Sequence, residues 1–393
     1  MAFNIVAESC EEATQPLCAA SAMLDLNPRL LVMLGDDPYY NVAATWTGYT
    51  VPRITITSTV AEVKNHVSAM FAKPGWRELL ARRNAGQMLI SWAGGDDHRW
   101  ADSADHTLTQ AQSGAGPTGA TTQAQVNAVA IVWYTAHREL ANTFWDYPTA
   151  ASLNSYNGDV PSAPAAGGAA MAASEFPVIY HYVDFDINGN VGGSHVRVIV
   201  PDLITYRSPI TDADNSSKVC MGHTQEAWFM TAVRSAWAAG FQFIVVASSK
   251  KLYPRNSSGR YGNSENIDTW GAYTTERNRI FGTLHTEGIR LVQMSGDRHS
   301  PNVVRHTVSD HGAAFDCLDL CACPIGVINN ADGQGDTTGQ LWVRNSASRY
   351  ERVFGSLELT DDGRMRAAIR DARSGLMRWH CYVAPRSNEP LYV

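Results

Sequence analysis

Four apolar runs in this 393-residue chain stop on residues that can hold a cation. "FNIVAESC" ends on Ser9 and Cys10, and "VMLGDDPYY" offers Asp36, Asp37 and Tyr39. "MLISWAGGDDHRWAD" offers Asp96, Asp97, His98 and Asp102, and "VQMSGDRH" offers Asp297 and His299. Singly, each is ordinary. A Gly-Asp turn most often shapes a loop, an Asp-x-His pair more often faces solvent, and an apolar-flanked cysteine such as Cys10 most often packs as a small hydrophobe. Their repetition at strand ends points further. Carboxylates crowded together resist ionisation unless cations neutralise them.

The chemistry that needs such a set is two-metal hydrolysis, in which a shared carboxylate bridges cations about 3.5–4 Å apart. Asp36 is the candidate bridge, because it leaves its strand at Gly35, which permits a sharp turn. Tyr39 follows three residues later and can turn back to the same ion. A phenol has a pKa of about 10, so binding as tyrosinate calls for a strong Lewis acid such as ferric iron. A Cys10 thiolate suits a transition metal as well. Asp102, a hard oxygen ligand, suits calcium or magnesium. The mixture predicts a mixed site.

These residues need a frame that gathers strand ends. The runs 30–34, 87–92, 196–200, 241–249 and 289–297 are apolar on both faces, as strands buried inside a layered fold are. Helix-like segments at 60–84, 122–145, 224–240 and 274–288 separate several of them, which argues for an α/β layered architecture. In such sheets ligands bind beyond the carboxyl ends of the strands. Residues 112–123 and 155–177 are rich in Gly, Ala, Ser and Pro and read as surface excursions. The C-terminal stretch 354–383 reads as a β-meander with turns at "DDG" and "RSG".

The bulk numbers bound the function. Hydrophobic residues are 45% and charged residues 18%, which fits a globular chain with a sizeable core. The net charge of -7 implies no general polyanion-binding face, so nucleic acid is not an expected partner. No run approaches the ~18 apolar residues of a membrane span. The N-terminal "MAFNIVAESC" carries no secretory or twin-arginine pattern, and seven cysteines in this length do not make a disulfide scaffold. A cytoplasmic protein is the simplest expectation.

Taken in order, the motifs resemble the PhoD-like metallophosphatases, the alkaline phosphatase D group of phosphatases and phosphodiesterases. "IVAESC" resembles the family's opening strand, "LGDDPYY" its Gly-Asp-x-x-Tyr motif, and "SWAGGDDHRWAD" its Trp-x-Asp-His motif with a later Asn or Asp. "VPDLITYRSP" resembles its Leu-Asp-x-Arg-x-x-Arg stretch and "MGHTQEAWF" its Leu-Gly-x-x-Gln-x-x-Trp helix start. "FIVVASS", "DTWGAYTTERNRI" and "LVQMSGDRH" follow in family order. The likeness covers most of the chain and implies one domain, 1–393, with the β-rich segment 338–393 inside it. It implies a four-layer α-β-β-α sandwich of the metallo-dependent phosphatase type. It also implies Fe3+ and Ca2+ as cofactors, with Cys10, Asp36 and Tyr39 matching iron-side ligands and Asp36 also touching calcium. Asp297 and His299 match ligands of the last motif, with the metal of each left open. Asp102 stands where the family usually carries an asparagine ligand.

The chain departs from the pattern at several points. Gly94 and Gly95 look inserted before Asp97-His98, Arg99 replaces an acidic residue, and Ile204 stands where an arginine is common, while Arg207 remains. His98 is either a general acid for the leaving group or a support behind the ligands. Arg207 either contacts substrate phosphate or pairs with a carboxylate. Cys317, Cys321 and Cys323 read first as buried thiols and second as a disulfide or metal set. Trp228, Trp270 and Tyr273 read as packing residues. "SSKKLYPRNSSGRYG" (248–262) reads as an exposed loop whose Lys250, Lys251, Arg255 and Arg260 read first as solvated and second as attracting an anionic substrate near the cleft mouth. The expected activity is metal-dependent hydrolysis of small phosphate mono- or diesters. The alternative is a binding or assembly protein that keeps the fold and lacks catalysis.

Overall fold

The computed structural model describes residues 3–9, 19–35, 44–46, 49–51, 54–93, 122–140, 143–146, 179–209, 212–252, 270–296, 301–306, 317–322, 340–343, 352–387 and 389–391. In chain order the first half contributes β1 (Phe3–Glu8), α1 (Ala20–Asp25), β2 (Leu30–Met33), β3 (Ala44–Trp46), β4 (Tyr49–Val51), α2 (Val60–Phe71), α3 (Trp76–Asn84), β5 (Leu89–Trp92) and α4 (Gln123–Leu140). The second half contributes β6 (His181–Phe185), β7 (Val196–Val200), α5 (Gly222–Ala238), β8 (Phe243–Ser248), a 3-10 turn (Trp270–Tyr273), α6 (Thr274–Thr286) and β9 (Leu291–Ser295). It ends with β10 (Asn302–His306), β11 (Cys317–Cys321), β12 (Gln340–Val343), β13 (Val353–Leu359), β14 (Met365–Asp371), β15 (Met377–Val383) and β16 (Pro390–Leu391).

Among the described residues the strands form two seven-stranded sheets and a separate antiparallel pair, β3-β4. The first has the order β16-β15-β14-β13-β1-β2-β5, the second β12-β10-β11-β9-β8-β7-β6. Strands β1, β2 and β5 run parallel, as do β7, β8, β9 and β11, so each sheet gathers carboxyl ends on one edge. Alternation then sets three apolar layers. Phe3, Ile5, Ala7, Val198, Val245, Val292 and Leu357 fill the space between the sheets. Val6, Leu31, Ile90 and Trp92 face outward against α2 and α4. Ile199, Ile244, Val246 and Leu291 face outward against α5 and α6. A strand apolar on both faces reads as an unbroken run, which is why these segments were visible in sequence. The result is the expected four-layer α-β-β-α sandwich.

Two expectations need correction. The helical segment 60–84 is two helices. It breaks at Lys73-Pro74-Gly75, where Pro74 has no N–H to donate and Gly75 adopts φ 88°. The stretch after β8 is not an exposed loop where it is described: Ser248 and Ser249 are buried, and Lys250 and Lys251 are 1% and 5% exposed. Lys251 Nζ donates to Asn302 Oδ1 at 2.8 Å, the kind of bond that a buried ammonium requires. Arg255 and Arg260 lie outside the described residues. The C-terminal meander holds as read: β13, β14 and β15 pair in sequence around turns at 361–363 and 372–375.

Candidate active site

The carboxyl edges of the two sheets meet at a close contact. A methyl group on Gly296, just after β9, would lie 2.6 Å from Ser9 Oγ, 2.8 Å from Ser9 Cβ and 3.0 Å from Leu34 Cβ. Ser9 follows β1 and Leu34 follows β2, so three strand ends from both sheets converge where only a glycine fits. Ser9 Oγ also donates to Gly35 O at 3.0 Å, joining the ends of β1 and β2 directly. Gly35 has φ 121°, the turn that the sequence anticipated before Asp36. Cys10, Asp36 and Asp297 each follow one of these described residues by one position in the sequence. Of the expected site residues, Cys10, Asp36, Tyr39, His98, Asp102, Asp297 and His299 lie outside the described residues. Among the described residues no group of three or more His, Cys, Asp or Glu side chains could hold a metal.

Arg207 is described. It is 7% exposed and sits in the turn that leaves the carboxyl end of β7, on the same sheet edge as Gly296. That turn is built tightly. Asp202 Oδ1 accepts from Ile204 N at 3.0 Å and Thr205 N at 2.9 Å. Gln225, one turn into α5, clasps the Asp202 backbone, accepting from its N at 2.7 Å and donating to its O at 2.7 Å. Burial, with the Asp202 charge as a further cause, pushes the Tyr206 hydroxyl well above the ordinary phenol range, so it stays protonated.

A buried polar network lies behind the last motif, and the sequence did not announce it. Ser295 Oγ donates to Asp319 Oδ1 at 2.7 Å, and His306 Nε2 lies 3.7 Å from Asp319 Oδ2, all three residues fully buried. Burial lowers the His306 pKa, with the Asp319 charge acting against it. Gln293 Nε2 donates to Ser248 Oγ and Lys250 O, each at 3.2 Å. Ser295 precedes Asp297-His299 by two positions and Asn302 follows it by three, so both flanks of that motif are fastened to one network. Apolar-framed Asp319 and the Lys250-Lys251 pair were the available signals. They carry no local pattern that marks them as buried.

A second bridge joins the sheets at their β5–β6 side. Ser91 Oγ lies 2.6 Å from His181 Nε2, and His181 Nδ1 lies 2.9 Å from the Ile179 carbonyl. A carbonyl only accepts, so Nδ1 carries the proton and Ser91 donates to Nε2. Burial holds the His181 pKa down to about 4. Cys317 and Cys321 are buried, and Cys323 lies outside the described residues. Trp270 and Tyr273 are buried and Trp228 partly so, which agrees with a packing role.

Residues 190–365 match the family model described as PhoD-like phosphatase. Among solved structures, that of PhoD is similar at 15% identity with a TM-score of 0.67, over 100% of this chain and 71% of that one. Purple acid phosphatase PPD1 from yellow lupin (Lupinus luteus) seeds is similar at 10% identity with a TM-score of 0.53, over 98% of this chain and 54% of that one. The chain thus spans about half the length of the lupin protein. At these identities the structural likeness is one of fold. No curated protein matches.

Proposed function

Proceeding from the chain as a PhoD-like metallophosphatase, by family match over residues 190–365 and by fold, we propose that it is a metal-dependent phosphoesterase acting on phosphate mono- or diesters. The observation that carries this reading is the contact of Gly296 with Ser9 and Leu34. It brings to one point the three strand ends that lead into Cys10, Asp36 and Asp297. Cys10, Asp36 and Tyr39 would hold iron, Asp36 and Asp102 would face calcium beside it, and Asp297 and His299 would complete the pair on either ion. The donor types fit, since thiolate and phenolate favour a transition metal and hard carboxylates favour calcium. Such cations, when bound, supply a nucleophile from water at neutral pH and offset phosphoryl charge. Arg207 would orient the substrate phosphate as a two-pronged donor. His98 would hold the proton that the leaving oxygen takes.

The test is elemental analysis of protein purified without chelators, followed by assays on p-nitrophenyl phosphate and bis-p-nitrophenyl phosphate. Bound iron and calcium, with turnover abolished in both Asp36→Ala and Asp297→Ala while folding is kept, is the expected result. Turnover retained in both variants would overturn the site. Absence of bound metal, with none taken up on soaking, would favour a binding protein instead.

A further inference from the structure

We propose that Tyr134 is a positioning residue for Arg207, acting through the hydroxyl of Thr205; this rests on the reading of Arg207 as the phosphate contact. Tyr134 lies on α4, the helix that covers the outer face of the first sheet, and is fully buried. Its hydroxyl shares a hydrogen bond of 2.6 Å with Thr205 Oγ1. Thr205 belongs to the turn that follows β7 of the second sheet. The bond therefore ties the helix layer of one half of the sandwich to a turn of the other.

Thr205 is a point where that turn is held from the other half of the sandwich. Upstream, Asp202 is fixed by its own side-chain turn and by Gln225. Downstream, Ser208 N donates to Val219 O at 2.7 Å, Ser208 Oγ accepts from Val219 N at 3.0 Å, and Ser208 O accepts from Tyr273 Oη at 2.9 Å. These anchors all lie within the second half of the chain. Thr205 is two residues before Arg207, and its hydroxyl reaches across to α4. An arginine that must present a planar fork in one orientation gains from a backbone that is already fixed. Tyr134 supplies that fixity from the helix that follows the His98 and Asp102 segment in sequence, so the phosphate contact is set relative to the half of the chain that bears Cys10, Asp36 and Tyr39.

The experiment is calorimetric titration of the full-length, metal-loaded protein with inorganic phosphate, beside hydrolysis of p-nitrophenyl phosphate and bis-p-nitrophenyl phosphate. Arg207→Ala should weaken phosphate binding about tenfold or more, through loss of a charge-assisted bidentate pair. Tyr134→Phe and Thr205→Val, which delete the two ends of one bond, should each weaken it about three- to fivefold through lost preorganisation. Neither should weaken it further in the Arg207→Ala background. A merely structural bond would instead lower the melting temperature with phosphate affinity unchanged, or its effect would persist without Arg207; either result overturns the proposal. Phosphate binding with this pattern but no hydrolysis would break the phosphoesterase reading and leave the positioning role standing. Hydrolysis with Arg207→Ala binding phosphate like the wild type, or a wild type that binds no phosphate, would overturn the positioning role.

Discussion

The two outer faces of the sandwich hold their strand ends by opposite means. On the first sheet the end of β5 is buried in aromatic rings. Trp92 stacks on His137 at 4.8 Å, His137 on Trp133 at 3.7 Å, and Trp145 lies 5.2 Å from Trp92. On the second sheet the matching level of β8, β9 and β11 carries Ser248, Gln293, Ser295 and Asp319, joined to Lys251, Asn302 and His306. Both arrangements fix the backbone from which the proposed ligand segments depart. The aromatic stack does so mainly by bulk. The polar network does so by directed bonds, each of which leaves a costly orphan when one partner is removed.

The largest test of this contrast is Trp92→Ala. Removing a fully packed indole should cost about 3–5 kcal/mol of stability in urea titrations. A loss below about 1 kcal/mol, within the range of ordinary surface changes, would show that the stack is incidental.

The next test uses two buried groups that titrate in opposite directions. His181 bridges the sheets with a pKa held at about 4 against an ordinary 6.5. The unfolded chain takes a proton that the folded one refuses, so stability falls as pH drops from 6.5 to 4, by about 3 kcal/mol at roughly 1.4 kcal/mol per pH unit. Glu276 on α6 accepts from Cys220 N at 2.7 Å, and burial raises its pKa to about 7 against an ordinary 4.5. Here the folded chain binds the proton first, so stability is greatest below pH 4.5 and falls by a similar amount, again about 3 kcal/mol, as pH rises to 7. Between pH 4.5 and 6.5 the two trends offset. Thermal melts should therefore show His181→Gln gaining stability on acidification and Glu276→Gln losing it. Parallel pH profiles in both variants would refute the assignment of either group.

Lys251→Ala probes one bond of the polar network. It should cost about 1.5–3 kcal/mol, the usual worth of a hydrogen bond to a charged group. Lys251→Met keeps the stem but not the charge and separates bulk from bonding. Gly296→Ala is the smallest change, a single methyl group aimed at Ser9. Relief by shifting the strand ends should cost about 1–3 kcal/mol. On the proposed function, its hydrolytic rate should fall further than its stability predicts, because the proposed ligand segments follow these strand ends in sequence.

The difference between the faces also explains what could be read beforehand. Strands apolar on both sides, the turns at 361–363 and 372–375, and the Gly35 turn announce themselves through local chemistry. The Pro74-Gly75 break was equally local, and the helical period of its flanks concealed it. The burial of Lys251 was not legible, since lysines are rarely buried without a partner and its partner, Asn302, is distant in sequence. The meeting of Ser9 with Gly296 is likewise a property of two sheets packed face to face and leaves no trace in either segment. Tyr134 offered no signal at all, being one aromatic residue on a helix face that is apolar for packing reasons.

The placement of β1 has a consequence for how the chain is made. Ala7 pairs with Gly355 and Phe3 with Leu359, and on its other side β1 pairs with β2. Strand β1 is thus a central strand whose second neighbour, β13, is synthesised long after it. At about 5–20 residues per second, the roughly 350 residues between them take tens of seconds to translate. Throughout that interval β2 can pair with β5, while the other side of β1 is an open edge. Completion of the first sheet is therefore a late event, timed by the arrival of β13.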